Sequence, residues 1–543
     1  MPLLRKSQAI HLKAGPLSAR RLWSAPSAVG MDETDTSHLD VAFDKEDLKR
    51  RSLHGAAATL AAQAAKFVLR FASIVVMARL LTPGEFGIVA MVAPFLAFIA
   101  TLNDLGFGQA VVQRRDISPS QLSALFWINA MVSTILAGAL MAMSPLIVWI
   151  YGEPSAGDVL RAMTVLIVVS GLSMVPNALL ARRMRFGVQV SIDLFCVALG
   201  TVIAIAAAWR GYSYWSLVLG QIASALASLT LLFAATRWFP SRPGRAEGVG
   251  ALVRFGANLT GVNLATYFSM TADNMIIGGV VGKVALGLYD RSYSLVVQPL
   301  NELLLPITRV AVPLLSRLTE DPPLFRRTYL TMLKLSLTLT MPPMIACVVF
   351  ADQVILLLLG EKWEAAAPIF RWICVGGVVT PMFTTTGWVY TAQGRTDKLL
   401  NYSIVTALIS VAAFGIGVTW GVIGVAILSA MAFIFVQTPI MVWGCTRVGG
   451  FSVRDIAGAV TPLLLAGAAT AGLLLTLSPM VLGWRVVPTM LLSYAAFGTV
   501  VLLLPGGRDL LATVLNFRTA FASKPGARVD PVFSESEWDS QRG

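Results

Sequence analysis

Long apolar runs separated by short polar turns are the feature that most constrains this chain. From residue 54 to about residue 505, runs of 18 or more largely apolar residues follow one another with few interruptions. A helix needs about 20 apolar residues to cross the hydrocarbon core of a bilayer, so each run is long enough for one crossing. The pattern therefore predicts an all-α polytopic membrane protein and argues against a soluble enzyme.

We assign fourteen transmembrane helices to these runs. Three prolines, Pro299, Pro306 and Pro313, make the eighth span the least regular. The polar segment 1–53 is predicted to be a disordered tail, and the polar segment 506–543 a C-terminal tail. The predicted spans are 56–80, 87–105, 122–147, 158–180, 187–208, 213–235, 255–281, 285–310, 328–351, 365–391, 398–419, 421–444, 457–478 and 485–505.

Composition agrees with this class and excludes several kinds of site. Charged residues make up 13% of the chain and apolar residues 56%, and the mean hydropathy is +0.73. All three His lie before residue 55, and the four Cys form no CxxC pair, so we expect neither a His-based catalytic centre nor a zinc site. A P-loop is also missing from the sequence. We predict no catalytic residue, no metal and no cofactor.

The distribution of Lys and Arg predicts the orientation in the membrane. With the N-terminus in the cytoplasm, the loops assigned to the cytoplasmic side hold fifteen Lys and Arg, against five in the loops of the other side. The positive-inside rule then places both tails in the cytoplasm. The net charge of +13 is explained mostly by this asymmetry facing anionic lipid, so we predict the bilayer as a partner and no nucleic acid.

An internal repeat divides the membrane body. Sliding the chain on itself by 200 residues aligns Gly87 with Gly287 and Gln63 with Asn263. Spans 1–6 and 7–12 then form two six-helix lobes related by a parallel repeat, an arrangement typical of secondary transporters. Chance matching of Gly and Pro in apolar sequence is the alternative. The predicted units are a lobe at 54–236, a lobe at 250–447 and two additional helices at 457–505.

Polar residues inside the spans are the candidates for function, because each charge there costs about 2.5–3.5 kcal/mol on insertion scales. Lys66 and Arg70 fall near the middle of span one and should face a watery cavity. An ion pair of these cations with Asp104 or Asp193 is the alternative. The five polar side chains that share this helical face are Thr59, Gln63, Lys66, Arg70 and Ser73.

Span seven carries a matching stripe that includes Asn263 and Asp273. Asp273 and Arg291 should lie at similar depth on adjacent antiparallel helices, so a buried pair between them is as plausible as a role in transport. Two cations at mid-depth suit a compact anion, such as a diphosphate or a carboxylate. The predicted substrate-binding residues are Gln63, Lys66, Arg70, Asn263, Asp273 and Arg291.

Three segments carry a resemblance to a known family. They are ARLLTPGEFG at 78–87, NDLGFGQAVV at 103–112 and ALGLYDRSYS at 285–294 followed by Pro299. With the fourteen spans, these segments resemble bacterial polysaccharide exporters, the Wzx-type flippases, especially their colanic-acid and succinoglycan branch. The resemblance implies the fold of the multidrug/oligosaccharidyl-lipid/polysaccharide superfamily, in which two lobes rock around a central cavity.

The resemblance also implies a function that composition alone does not reach. The protein would flip undecaprenyl-diphosphate-linked oligosaccharide repeat units across the bacterial inner membrane for polysaccharide or lipopolysaccharide biosynthesis. A polysaccharide polymerase and chain-length machinery would be its partners. Two alternatives remain open, an ion-coupled multidrug exporter of the same superfamily and an integral-membrane polysaccharide polymerase. The short outer loops without His argue against the polymerase, so we predict that the protein is not an enzyme.

Overall fold

The structure is a computed structural model that describes residues 45–103, 108, 111–112, 117–242, 272–478 and 483–503. Side chains are described from Gln63 onward. By internal contacts the chain divides into a unit of residues 1–52 and a unit of residues 53–543. The described residues are helical apart from short turns and contain no strand, which confirms the predicted all-α class.

Seven α-helices are described in the first half of the membrane body, up to residue 242. Ser118 starts α3 with a capping box, in which its hydroxyl accepts a hydrogen bond from the Gln121 backbone and the Gln121 side chain accepts one from the Ser118 N–H. Pro at the first turn begins α2, α3 and α5, where the missing N–H has no partner to lose. The helices are α1 Lys45–Leu80, α2 Pro83–Asn103, α3 Pro119–Ala142, α4 Ser144–Tyr151, α5 Pro154–Arg182, α6 Phe186–Trp209 and α7 Trp215–Thr236.

Nine further α-helices are described between residues 283 and 503. The last two, which are the predicted extra pair, pack against α9, and the Tyr494 hydroxyl donates to the Leu339 carbonyl at 2.9 Å. The helices are α8 Lys283–Arg317, α9 Pro322–Val349, α10 Ala351–Leu358, α11 Ala367–Ala392, α12 Thr396–Gly417, α13 Gly421–Ala432, α14 Thr438–Gly449, α15 Val453–Leu477 and α16 Val486–Leu503.

Eleven segments of the described chain are long and apolar enough to cross a membrane. One of them, Thr396–Gly449, covers the two predicted spans 398–419 and 421–444, because its helices turn back at Gly417 and Gly421 and pack together. Predicted span one lies inside α1. Most of predicted span seven, 255–281, lies outside the described residues, so the count of fourteen stays a prediction.

Two predicted spans have different limits in the structure. The span predicted at 122–147 is broken, because α3 ends at Ala142 and a separate helix begins at Ser144. Pro145 in the first turn of α4 cannot donate to the preceding turn, which explains the break. The span predicted at 285–310 extends over the whole of α8, 35 residues, with its three prolines inside one helix.

Helices α2 and α8 cross unusually closely at one end of the bundle. A Cβ added to Gly87 would overlap the Lys283 carbonyl oxygen, and a Cβ added to Gly287 would overlap the Pro83 carbonyl oxygen. These contacts are reciprocal, since Gly87 and Gly287 are 200 residues apart and so are Pro83 and Lys283. We call this contact the α2–α8 crossing. The main cluster of buried apolar side chains includes residues on both of its helices.

Candidate functional site

A pocket of about 450 Å³ lies between α1, α6 and α7, with Leu166 of α5 at one side. This volume is in the range of sites that hold small ligands or headgroups. Helix α1 contributes one wall, α6 the second and α7 the third. The lining residues that matter for the chemistry are Lys66, Arg70, Ser73, Asp193, Thr201, Gln221, Ser224 and Ser228.

Small residues bring α6 and α7 together behind the pocket. A Cβ on Gly200 would lie 2.7 Å from the Gly220 carbonyl oxygen, and a Cβ on Gly220 would lie 2.7 Å from the Gly200 carbonyl oxygen. Close backbone approach of this kind is how membrane helices associate when no hydrophobic effect drives them together. Because α6 and α7 meet here through backbone, Thr201, Gln221 and their neighbours present side chains to the cavity.

The wall formed by α1 is the polar stripe predicted from the sequence. Lys66, Arg70 and Ser73 follow one another at spacings of four and three residues and all line the pocket. Lys66 and Arg70 lie roughly 21 and 15 Å along the helix from Leu80 at 1.5 Å per residue, which is well inside a hydrocarbon core of ~30 Å. Gln63, one turn before Lys66, is half-buried and does not line the pocket.

The two cations of the pocket have different partners. Lys66 Nζ forms an ion pair with Asp193 Oδ2 at 2.8 Å, which is one of the two pairs that the sequence offered as the alternative to a cavity. Arg70 is exposed and has no ion pair or hydrogen bond with any described residue. The structure thus combines both expectations, since an acid pair and an open cavity occur side by side. The charged lining adds up to one net positive charge.

Neutral hydrogen-bonding groups complete the pocket. Thr201, Gln221, Ser224 and Ser228 line it, and none of their side chains is hydrogen-bonded within the described part of the chain. Hydroxyl and amide groups of this kind can both donate and accept hydrogen bonds. A ligand with an anionic centre and hydroxyl groups would therefore find a partner for each.

The other predicted site residues lie elsewhere. Asp273 is buried and accepts hydrogen bonds from the Asn274 backbone N–H at 2.8 Å and from the Tyr289 hydroxyl. Arg291 pairs with its neighbour Asp290, with Nε 2.9 Å from Oδ2, and its guanidinium lies 4.8 Å from the centre of the Phe86 ring. The structure therefore does not contain the Asp273–Arg291 pair, which the sequence offered as one of two alternatives.

Both Asp273 and Arg291 are separate from the pocket, because neither belongs to its lining. Asp290 is adjacent to Arg291 in the chain and pairs with its guanidinium. Asn263 lies outside the described residues, as does Asp104. Among the residues that are described, no three His, Cys, Asp or Glu side chains are grouped to hold a metal ion.

Sequence reasoning named Asp193 only as a possible structural partner of the two cations, and it did not propose the α7 residues at all. A carboxylate inside the apolar run of span five was a signal for Asp193. For α7, the signal was Gln221 followed by Ser224 and Ser228 at helical spacing, directly after Gly220.

Comparison with known proteins places this architecture. The family model described as "Polysaccharide biosynthesis protein" matches residues 76–368, more than half of the chain. The lipopolysaccharide biosynthesis protein WzxC of Escherichia coli is 24% identical over 72% of this chain and 81% of its own length. The succinoglycan biosynthesis transport protein ExoT of Rhizobium meliloti is 26% identical over 70% of this chain and 76% of its own length.

Solved structures resemble the fold. The lipid II flippase MurJ in an inward closed conformation has a TM-score of 0.65 at 13% identity, covering 85% of this chain and 99% of that one. A multidrug resistance MATE family transporter of the MOP superfamily, in an inward-facing conformation, has a TM-score of 0.58 at 16% identity and covers 71% of this chain and 95% of that one. At these identities the likeness concerns the fold of a membrane transporter.

Proposed function

The chain belongs to the polysaccharide biosynthesis protein family, as its motifs predicted, and we propose that it flips undecaprenyl-diphosphate-linked oligosaccharide repeat units from the cytoplasmic to the periplasmic leaflet of the bacterial inner membrane. One relative is named for lipopolysaccharide biosynthesis and another as a succinoglycan transport protein, which supports a polysaccharide cargo. The observation that carries the proposal is the polar pocket at mid-depth in which Arg70 has no partner among the described residues.

The headgroup binds at the α1 wall. Arg70 contacts one phosphoryl group through its planar guanidinium, which suits bidentate binding of phosphate oxygens. Lys66 is one helical turn away and contacts the other phosphoryl group as a point charge. The hydroxyl and amide groups of Thr201, Gln221 and Ser224 face the same space and bind the first sugar or water around it.

Movement of the cargo requires that the two predicted lobes open on alternate sides of the membrane. The reciprocal Gly87 and Gly287 contacts support a two-fold relation between the lobes, because each glycine meets the backbone at the position equivalent to its partner's. Lys66 and Arg70 then stay on one lobe while the opening changes side. We keep Gln63 and Asn263 as predicted contacts for the sugars. Asp273 and Arg291 have other partners, and we leave them out of the headgroup site.

The remaining assignments follow from this role. The Lys and Arg distribution supports cytoplasmic positions for both tails. No covalent bond is broken or formed in this transport cycle, so the protein is a transporter and not an enzyme. A polymerase and chain-length machinery on the periplasmic side consume the flipped repeat units.

A flipping assay tests the proposal directly. Purified full-length protein is reconstituted in liposomes with a short-chain polyprenyl diphosphate sugar that carries a fluorophore, and a membrane-impermeant quencher reports how much of it reaches the outer leaflet. Wild-type protein should speed the transfer. Arg70→Ala should reduce the rate, and Lys398→Ala, which removes an exposed cation outside the pocket, should not. Transfer at the protein-free rate with wild-type protein, or an unchanged rate with Arg70→Ala, would contradict the proposal.

A further inference from the structure

Helix α8 carries a row of polar side chains that the headgroup site does not use. Counted from Gly287 at about 100° per residue, all of them lie within about 60° of the direction in which Gly287 points. Gln298, Asn301 and Glu302 in this row are exposed, and none of the three forms a hydrogen bond or an ion pair with a described residue. We call the row the α8 stripe, and its members are Ser294, Gln298, Asn301, Glu302 and Arg309.

The α2–α8 crossing shows where this face of α8 points. A Cβ added to Gly287 would overlap the Pro83 carbonyl oxygen, so Gly287 points at α2 in the other predicted lobe. The α8 stripe shares the face of Gly287 and therefore points toward the same lobe. Gly287 is buried, whereas Gln298 and Glu302 are exposed. The two helices thus touch near their first turns, and further along α8 the stripe is uncovered.

The stripe lies at the depth of the hydrocarbon core. Gln298 and Glu302 lie roughly 22 and 28 Å along α8 from Lys283 at 1.5 Å per residue, against a core of ~30 Å. Charged and amide side chains at this depth are costly against acyl chains, so they face water or a polar ligand. Lys66 and Arg70 lie roughly 21 and 15 Å from the end of α1 that leads into the crossing. The stripe therefore begins at the level of the pocket and continues away from the crossing.

The internal repeat indicates that the fold does not require polar residues at these positions. With the repeat offset of 200 residues, Gln298 corresponds to Phe98 of α2, and Glu302 corresponds to Leu102. Phe98 and Leu102 are partly buried and pack against the main apolar cluster. The same face is thus apolar on α2 and polar on α8, so the polar residues of α8 are explained by a ligand better than by helix packing.

The chemistry of the stripe suits a different ligand from that of the pocket. The charged lining of the pocket has one net positive charge, which suits an anion, whereas the charges of Glu302 and Arg309 in the stripe cancel. The amides of Gln298 and Asn301 donate and accept hydrogen bonds, and the Glu302 carboxylate accepts them, as sugar hydroxyl groups require. From Ser294 to Arg309 the stripe extends roughly 22 Å, which is much longer than a phosphate and suits a chain of sugars.

We propose that the α8 stripe binds the glycan of the cargo and that Gln298, Asn301 and Glu302 determine which oligosaccharide is accepted. The diphosphate lies in the pocket of the first lobe, and the uncharged, hydroxyl-rich glycan lies along α8 of the second lobe. The inference rests on the flippase function above and adds the part of the cargo that the second lobe recognises.

Cysteine labelling of full-length protein in nanodiscs tests whether the stripe faces water. The four native Cys are buried, so wild-type protein should react slowly with a charged, water-soluble maleimide. Gln298→Cys and Asn301→Cys should react at least tenfold faster than Leu408→Cys. Leu408 is the control because it is an apolar residue of α12 that is 66% exposed, as expected of a side chain that faces lipid. Equal rates at the three positions would mean that lipid or protein covers the stripe, and the proposal would be wrong.

The liposome transfer assay then tests whether the stripe recognises the glycan. Two fluorescent short-chain polyprenyl diphosphates are compared, one with a single N-acetylglucosamine and one with a neutral tetrasaccharide. Glu302→Ala should slow the transfer of the tetrasaccharide lipid severalfold and that of the single-sugar lipid less than twofold. Gln298→Ala and Asn301→Ala should act in the same direction. Glu320→Ala, which removes an exposed carboxylate in the turn after α8, is the matched control and should slow neither lipid.

The outcomes separate the glycan assignment from the flippase function. If the three stripe variants slow both lipids equally, or transfer the tetrasaccharide lipid as fast as Glu320→Ala does, the stripe does not recognise the glycan, while the flippase proposal stands. If wild-type protein transfers neither lipid, the flippase proposal fails, and the glycan assignment fails with it.

Discussion

The α2–α8 crossing and the α1–α6–α7 pocket are built from similar residues, glycines with a few cations, and they behave in opposite ways. At the crossing and just before it in the chain, the cations are engaged with protein groups. Lys283, the first residue of α8, pairs with Glu153 at 2.8 Å, and Arg79, near the end of α1, donates to the Leu357 carbonyl at 2.6 Å. In the pocket Arg70 has no described partner. A cation that is hydrogen-bonded or paired within the protein stabilises helix packing. A cation without such partners beside a cavity can bind a ligand.

Glycine has a different effect in the two regions as well. At the crossing, Gly87 and Gly287 let two helices touch along their backbones, and the space is filled. At the pocket, Gly200 and Gly220 bring two helices together on one side and so leave a cavity on the other. The same residue type therefore occurs at a filled contact and beside a cavity.

The largest effect is expected from filling the crossing. Gly87→Ala places a methyl group on the Lys283 carbonyl oxygen, so the helices must separate, at a cost of about 1–3 kcal/mol or more. We expect a clear loss of thermal stability of the purified protein, measured by the unfolding midpoint in detergent. Gly287→Ala should act similarly, since its contact is the reciprocal one.

The matched control is Gly84→Ala on the same turn. A Cβ there would lie 3.4 Å from a methyl group of Val284, which is an ordinary contact. This variant should unfold close to the wild-type midpoint. Equal behaviour of Gly84→Ala and Gly87→Ala would show that the crossing is not the tight joint described above.

Arg70 and Arg79 lie on the same helix, and we expect their alanine variants to have opposite effects on ligand affinity and on stability. Arg70→Ala should lower the affinity for the short-chain polyprenyl diphosphate sugar by roughly ten- to hundredfold, because hydrogen bonds to charged groups are worth about 1.5–3 kcal/mol. It should leave the unfolding midpoint of the protein unchanged. Arg79→Ala should do the reverse. It removes the contacts to the carbonyls of Leu357 and Leu358 and should lower stability by about 1 kcal/mol without changing ligand affinity.

The ligand affinity and the unfolding midpoint are measured for Arg70→Ala and Arg79→Ala in the same detergent. An equal loss of affinity in Arg79→Ala and Arg70→Ala would contradict the assignment of ligand binding to Arg70 and of a structural role to Arg79. Arg70→Lys should recover part of the affinity, since it keeps the charge and loses the planar fork.

A smaller effect is expected from removing one hydrogen bond next to the α2–α8 crossing. Trp363 is fully buried, donates from Nε1 to the Ala78 carbonyl at 2.8 Å, and meets the Phe86 ring edge-on at 5.4 Å. Trp363→Phe keeps an aromatic ring and removes the donor, so we expect a loss of about 1 kcal/mol in stability. Trp209→Phe, at an exposed position, is the control. Equal midpoints for the two variants would mean that this hydrogen bond contributes nothing to the joint.

Much of this contrast could be predicted from the sequence. The repeat offset identified Gly87 and Gly287, and helical periodicity placed Lys66, Arg70 and Ser73 on one face. Both are patterns within a single helix or between equivalent helices. The partner of Lys66 was narrowed to two carboxylates and no further, because periodicity states which residues share a face but not which face of another helix lies opposite. That choice depends on the crossing of α6 and α7 at Gly200 and Gly220, which only the packed structure reveals.

Local competition explains why the Asp273–Arg291 pair, one of the two alternatives, does not form. The Asp273–Arg291 pair was inferred from equal depth, yet Asp290 is one residue from Arg291 and reaches it with no cost in ordering a distant helix. The break of α3 at Met143 has a similar origin, since a single Pro145 interrupts the hydrogen-bond ladder inside a run whose hydropathy is continuous. Hydropathy locates membrane segments, and individual donors and acceptors decide how they end and pair.

The smallest predicted effect is a pH dependence of stability that comes from the Lys283–Glu153 pair at the α2–α8 crossing. The hydrogen bond from Lys283 holds the pKa of Glu153, which lies in the turn before α5, below the ordinary glutamate value of about 4.5. A carboxyl whose pKa is lower in the folded state stabilises the fold above its unfolded pKa, and that contribution is lost as the pH falls through the folded pKa. The unfolding midpoint of wild type should therefore approach that of Glu153→Gln as the pH falls from neutral to below the ordinary glutamate value of 4.5. Since ion pairs of this kind are worth about 0–1 kcal/mol, the difference at neutral pH should be small. A constant difference between the two proteins over this range would show that the charge of Glu153 does not stabilise the joint.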